Sequence, residues 1–306
     1  MVVPRTDERR ASPQRHPDDT RSGYTICMIP APKFAGLALA GAGLSVVLAA
    51  LSAAGCSRGG SKGDFTLAGS TSVQPFAEKW VEAYRAGPAR GGRLDIHVQG
   101  GGSTAGVQAA ETGAAQIGMC SRELKPDEAS KLVATVVARD GIAVIVNKAN
   151  PISELPLADV QRMYAGQAAT WKDVGGGAGK VTLITREDGS GTRGAFEDLL
   201  MKGTKIAASA LVQDSTGAVR QMVASDPAAI GYISLGQVDG SVKALRIGGV
   251  EASEASIDAG KYPLVRPFLF VTRGAPAGPA ADFISWVTGP EGQALTRKEG
   301  LLPPKK

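Results

Sequence analysis

Residues 180–201 read KVTLITREDGSGTRGAFEDLLM, and the fold turns on how this stretch is read. The run from Val181 to Thr185 is apolar and β-branched, which predicts a strand. Phe196, Leu199 and Leu200 follow at helical spacing, and Ser190 and Thr192 stand at the entry to that helix. A helix start presents unpaired backbone N–H groups and the positive end of the macrodipole. Hydroxyls add donors and glycine lets a ligand approach the backbone, so a strand ending in such a turn suits an anion. Glu187 and Asp188 sit in the same turn, and an anion site that carries its own carboxylates needs a reason for them.

The same phrase occurs twice earlier. In DFTLAGSTSVQPFAEKWVEAY (64–84), Phe65 to Ala68 predict a strand, and Val73, Phe76, Ala77, Trp80, Val81 and Tyr84 fall at helical spacing. Ser70, Thr71 and Ser72 therefore lie at a helix start. In LDIHVQGGGSTAGVQAAETG (94–113), alternation from Leu94 to Val98 predicts a strand, and Ser103 or Thr104 caps the helix that follows. Ordinary capping accounts for any single copy. Three copies, each after a strand, point to an α/β fold in which a ligand collects outside the carboxyl ends of the strands.

A chain of 306 residues exceeds what one compact core usually organises and predicts two domains once its start is set aside. Residues 1–27 are polar and rich in Pro, Arg and Asp, and read as disordered or as an upstream extension with Met28 as the start. From there Lys33, an apolar run from Phe34 to Leu51, and Ala53-Ala54-Gly55-Cys56 have the layout of a bacterial lipoprotein signal. A transmembrane anchor is the other reading of that run. The small residues directly before Cys56 favour the lipoprotein reading, with lipid on Cys56 and residues 56–63 as a Gly/Ser-rich tether.

The other cysteines, Cys27 and Cys120, form no pair within an exported chain, and Cys120 reads as a small core residue. The net charge is +5; residues 1–55 carry six Lys/Arg and four Asp/Glu, and the remainder has 28 against 25, or +3. No basic run alternates with aromatics, so nucleic acid is not an expected partner.

Enzyme motifs fail on their mechanics. VGGGAGKVTL (174–183) resembles a phosphate-binding loop, but Val174 stands where the first glycine is needed and Val181 replaces the magnesium-binding hydroxyl. GGSTAG (101–106) places its last glycine one position too late for a nucleophile elbow. Only His16 and His97 could serve as imidazole bases; the first lies in the leader and the second on the polar side of a strand. No His/Cys/Asp cluster has metal-ligand spacing, so no metal or other cofactor is expected. Binding without chemistry is the reading these residues favour.

AGSTSVQP (68–75), QGGGSTAGVQ (99–108), IGMCSREL (117–124), the stretch 149–176, TREDGSGTR (185–193) and AIGYISLG (229–236) together resemble the phosphate-binding lipoproteins of phosphate-specific ABC importers. The likeness runs in order from about Asp64 to the C-terminus. It implies a type II periplasmic-binding-protein fold, two α/β lobes joined by two crossover strands, with phosphate in the cleft. The expected lobes are 64–143 plus 234–306 and 144–233, with crossings near Gly141–Asn147 and Gly231–Leu235.

Residue by residue, the resemblance implies phosphate contacts from Thr71 and Ser72, Ser103, Arg186, Asp188, Ser190, Gly191 and Thr192. Ser70 and Thr104 join them from the same turns, and Ser121 and Arg122 from the segment IGMCSREL (117–124). Asp188 is expected to hold the Arg186 guanidinium in one orientation. Many relatives have Asp where this chain has Arg122, which leaves Asp188, Glu187 or a backbone carbonyl to accept the phosphate hydrogen. The implied partners are inorganic phosphate, the permease subunits of the importer, and a membrane reached through the N-terminal lipid. The alternatives are a binding protein for sulfate, molybdate or tungstate, a secreted phosphatase or serine hydrolase, and a sensor that uses the closed state as a signal.

Overall fold

The computed structural model describes residues 63–87 and 94–305; the leader, Cys56 and most of the tether lie outside them. Strands β1 (Phe65–Gly69), β2 (Ile96–Gly100) and β3 (Ile117–Cys120) run parallel in the order β2-β1-β3. Helix α1 (Gln74–Ala86) follows β1 and α2 (Ser103–Thr112) follows β2, as the two earlier sequence phrases predict. A one-turn helix, α3 (Pro126–Ala129), leads into the 15-residue strand β4 (Val133–Asn147).

Beyond it come β5 (Glu154–Leu155), α4 (Leu157–Tyr164), β6 (Thr182–Arg186), α5 (Gly191–Phe196) with a π-helical extension over Glu197–Met201, β7 (Leu211–Gln213), α6 (Thr216–Ser225) and β8 (Ala229–Ser234). Then follow β9 (Val242–Ala244), β10 (Arg246–Ile247), α7 (Glu254–Asp258), β11 (Val265–Thr272), α8 (Gly278–Thr288) and α9 (Pro290–Lys298). In the second lobe β8, β6 and β7 are again parallel.

Strand β4 joins the lobes. Its first part, Val133–Gly141, pairs antiparallel with β11, and from Ile142 it pairs antiparallel with β8. Alternation along the strand then feeds two layers of core. Ile142, Val144 and Val146 pack with Tyr164, Phe196 and Tyr232 on one face, while Ala143 and Ile145 pack with Val219 and Val223 of α6 on the other. The first lobe repeats the plan. Phe268 and Phe270 of β11 face Phe76 and Trp80 of α1, and Leu269 and Val271 face Val107 and Ala110 of α2. A fully buried side chain of this size contributes about 1.5–3 kcal/mol, so both faces of each sheet hold helices in place.

The helix following β2 approaches the sheet closely because of Gly106. A Cβ there would lie 2.5 Å from the Ala68 carbonyl oxygen and 2.7 Å from the Gly69 Cα. That approach sets the start of α2 beside the end of β1.

The second lobe is larger than the expected 144–233. After β8 the chain does not return to the first lobe: β9 pairs with Ile145–Asn147 of β4, β10 pairs with β5, and Leu245, Ile247, Ile257, Tyr262 and Leu264 join the second core. The passage back occurs at β11, whose first residue Val265 is the register partner of Gly141. The crossovers are therefore β4 and β11. The expected crossing near Gly231–Leu235 is instead the end of β8, packed against β4 at Ser234–Ile142. Among the described residues no helix is long and apolar enough to cross a membrane.

Candidate functional site

Four helices begin at one place between the lobes, and the residues at their starts are buried together. Ser70 and Ser72 precede α1, Ser103 opens α2, Thr192 is the second residue of α5, and Thr216 opens α6. Ser121, just past β3, completes the group. Each of these side chains is at most 2% exposed, so their hydroxyls must find partners within the protein.

They find one another, within the first lobe and across to the second. Ser70 Oγ donates to Ser121 Oγ at 2.9 Å, and Ser103 Oγ lies 3.3 Å from Ser121 Oγ. Ser72 Oγ is 2.7 Å from Thr192 Oγ1 and 2.9 Å from Thr216 Oγ1. A backbone bond closes the same seam, with the Thr104 N–H donating to the Gly189 carbonyl at 3.0 Å. Gly191 leaves room for this approach. A Cβ at 191 would lie 2.1 Å from Ser103 Oγ and 2.6 Å from Ser121 Oγ.

Two guanidiniums flank the hydroxyls. Arg186, the last residue of β6, donates from Nη1 to Thr216 Oγ1 and from Nη2 to Thr71 Oγ1, each at 3.2 Å. Its Nε and Nη2 also donate to the two oxygens of Glu187 at 2.9 Å, and carbonyls of Gln213 and Asp214 accept the remaining bonds. Arg266, the second residue of β11, donates from Nη1 to Thr192 Oγ1 at 2.7 Å and to the Ser121 carbonyl at 3.2 Å. Its Nε and Nη2 both donate to Asp140 Oδ2, at 3.0 and 2.9 Å. Burial pushes the Asp140 carboxyl above the ordinary carboxylate range and Arg266 below the ordinary guanidinium range, and their mutual attraction opposes both shifts.

The strand that carries Arg186 is held from behind. Phe196 stacks on Tyr232 at 3.9 Å between centroids, and the Tyr232 hydroxyl lies 2.7 Å from Thr185 Oγ1. Burial raises the Tyr232 phenol to about 12, so it stays neutral. Burial likewise raises the Cys120 thiol beneath Ser103, and its Sγ–H donates to the Arg122 carbonyl.

Of the residues predicted from sequence, Ser70, Thr71, Ser72, Ser103, Ser121, Arg186, Gly191 and Thr192 are brought together here. Thr104 contributes its backbone N–H to the seam. Ser190 caps α5, its Oγ accepting from the Arg193 N–H at 3.2 Å. Two expectations are corrected. Asp188 does not hold Arg186: its side chain is 92% exposed and pairs with Arg193, because residues 187–190 form a turn that carries it outward. Glu187 takes the guanidinium instead. Arg122 is turned to Glu128, which receives both of its terminal nitrogens at 2.7 and 2.8 Å, so its fork is already matched by a carboxylate.

Sequence reasoning missed Thr216, Arg266 and Asp140. Thr216 was within reach of it, because LVQDSTGAVRQMV (211–223) is a fourth copy of the strand, hydroxyl turn and helix. The signal for Arg266 is a lone charge in the apolar run LVRPFLFV (264–271), where an unpaired guanidinium would not be buried. Among the described residues no group of three or more His, Cys, Asp or Glu could hold a metal ion.

This geometry suits a small tetrahedral anion with several oxygens. Hydroxyls, helix starts and a guanidinium converge from both lobes, and the donors outnumber the carboxylates, each of which is already engaged by an arginine.

Comparison with known proteins agrees with this description. The family model for a PBP superfamily domain matches residues 56–291. The phosphate-binding protein PstS of Bacillus subtilis strain 168 is 31% identical over 250 residues, covering 79% of this chain and 81% of that protein. A protein from Clostridium perfringens, described as a phosphate ABC transporter substrate-binding protein with bound phosphate, is 35% identical with a TM-score of 0.76. The match covers 79% of this chain and all of that one. An ABC-type phosphate transport receptor from Vibrio cholerae is also 35% identical, with a TM-score of 0.66, over 78% of this chain and all of that one.

Proposed function

The chain belongs to the PBP superfamily and, within it, to the PstS family of phosphate-binding proteins, and on that premise we propose that it captures inorganic phosphate outside the cytoplasm and delivers it to an ABC-type permease. The observation that carries this reading is the set of hydroxyls from four helix starts that meet between the lobes with Arg186 beside them. In the bound state these hydroxyls exchange one another for phosphate oxygens. The candidate contacts are Ser70, Thr71, Ser72, Ser103, Ser121, Arg186, Gly191 and Thr192, to which the geometry adds Thr216.

Stripping a dianion of water costs several kcal/mol at least, even after the protein relaxes around it. Charge-assisted hydrogen bonds return about 1.5–3 kcal/mol each. Half a dozen of them offset that cost and the ordering of the cleft, leaving micromolar or tighter binding, near −8 kcal/mol. Nothing in this arrangement requires catalysis, and the protein acts as a carrier.

Because contacts come from both lobes, 64–141 plus 265–305 on one side and 142–264 on the other, ligand binding favours the closed form. Calorimetric titration of residues 58–306 with phosphate, sulfate and molybdate tests the assignment. Phosphate is expected to bind with micromolar or lower Kd and the others far more weakly. A preference for sulfate or molybdate would assign the protein to a different oxyanion.

The same proposal includes a lipid on Cys56, supported by the small residues before it. Stable anchoring takes two or more acyl chains, at about 0.8 kcal/mol per buried methylene. Cys56→Ser is expected to shift the protein from the membrane fraction to the soluble one, and unchanged fractionation with the leader removed would count against the lipid.

A further inference from the structure

The Asp140–Arg266 pair sits where the lobes join. Asp140 is on β4 one residue before the crossing at Gly141, and Arg266 is its register partner on β11. Ser234, at the end of β8, donates to Asp140 Oδ1 at 2.8 Å. The three segments that run past the junction are thus tied to one carboxylate. From there the guanidinium reaches the Ser121 carbonyl of the first lobe and the Thr192 hydroxyl of the second. Both members are essentially unexposed, with side chains 1% and 0% accessible.

We propose that Arg266, held by Asp140, is a positioning residue that turns the Thr192 hydroxyl into a dedicated donor for the bound anion and ties that hydroxyl to the junction of the lobes. Hydrogen-bond polarity sets this role. A guanidinium only donates, so when Arg266 bonds Thr192 Oγ1 it takes a lone pair of that oxygen and leaves the hydroxyl hydrogen to be given elsewhere. The other atom within reach of that hydrogen is Ser72 Oγ, at the start of α1, the position that a phosphate oxygen enters in the bound state. Donation from a cation also polarises the hydroxyl and strengthens the bond it gives. The fork is needed because Arg266 must hold Asp140 with Nε and Nη2 while Nη1 serves Thr192, a division of labour that a lysine ammonium does not reproduce. Without the carboxylate the guanidinium loses the partner of Nε and Nη2, the two bonds that set its plane, and keeps only those of Nη1.

The inference rests on the phosphate-binding reading, and its test separates the two. A buried ion pair can be replaced by apolar residues with little loss of stability. The double variant Asp140→Leu/Arg266→Met is therefore expected to unfold near the native temperature, yet to bind inorganic phosphate about tenfold to a hundredfold more weakly. Thr192→Val is then made in both backgrounds, and Kd is measured by calorimetry on residues 58–306. In the native background it is expected to cost about tenfold or more, and in the apolar background less than about threefold, because the hydroxyl is no longer directed.

Equal costs in the two backgrounds, or an apolar variant with native affinity, would overturn the inference while leaving phosphate binding intact. Native protein that binds no phosphate would overturn the underlying reading and the inference with it. Should the apolar variant not fold, Asp140→Asn replaces it in the same cycle, since it keeps the side-chain volume and removes the charge that orients Arg266. Additive costs there would overturn the inference in the same way.

Discussion

Arg186→Ala is expected to weaken phosphate binding by at least about thirtyfold, because truncating one partner of a buried, hydrogen-bonded charge pair costs about 2–5 kcal/mol. The loss has two parts. The anion loses a guanidinium that reaches Thr71 in one lobe and Thr216 in the other. Glu187 also loses the cation that now occupies both of its oxygens, and stays behind as a repulsive charge. Arg186→Lys keeps the charge without the fork, and is expected to recover only part of the affinity. Calorimetric Kd values check this, with thermal unfolding to confirm that the variants fold. An affinity for phosphate within threefold of native in Arg186→Ala would show that this arginine serves the fold and not the ligand.

Gly191→Ala is expected to have an effect of similar size for a different reason. The new methyl would lie 2.1 Å from Ser103 Oγ and 2.8 Å from Ser103 Cβ. A hydroxyl can rotate away from such a contact, but a Cβ cannot, so the start of α2 and the start of α5 must move apart. These belong to different lobes, and the expected defect is in closure. Loss of two or more charge-assisted bonds at about 1.5–3 kcal/mol each corresponds to a hundredfold or greater rise in Kd. Each lobe keeps its own core, since the crowded atoms are across the seam, and alanine is a better helix former than glycine. Small-angle scattering with saturating phosphate is expected to show a more open particle than the native protein. A variant that closes and binds as the native protein does would contradict the geometry of the seam.

The parts of this protein that could be read from sequence are those whose signal is local. Three of the four helix starts at the site follow strands with a clear apolar pattern, and the helix of residues 74–86 buries Phe76, Ala77, Trp80, Val81 and Tyr84, the positions its spacing marks. The fourth start carries the same hydroxyl turn and helix, but its strand is faint: β7 is three residues long and its Leu211 and Val212 are exposed, so no alternation precedes the turn. The extent of the second lobe was hidden for a related reason. Strands β9 and β10 have three and two residues, and only their pairing with β4 and β5 fixes their lobe.

The arginine partners illustrate a second limit. The resemblance makes Asp188 the expected partner of Arg186, but the choice between adjacent carboxylates depends on how the turn folds. The bond from Ser190 N–H to the Glu187 carbonyl closes that turn and leaves Asp188 outside it. The pairing of Asp140 with Arg266 spans 126 positions and depends on register between β4 and β11, which no local pattern carries.

In the proposed bound state phosphate is held between the lobes by the hydroxyls at the helix starts. A crystal structure of residues 58–306 grown with phosphate would decide whether this state exists. The expected result is a phosphate within hydrogen-bond distance of Ser72, Ser103, Thr192 and the Arg186 guanidinium, contacted from both lobes. A phosphate bound elsewhere, or one touching residues of a single lobe in a closed molecule, would contradict it.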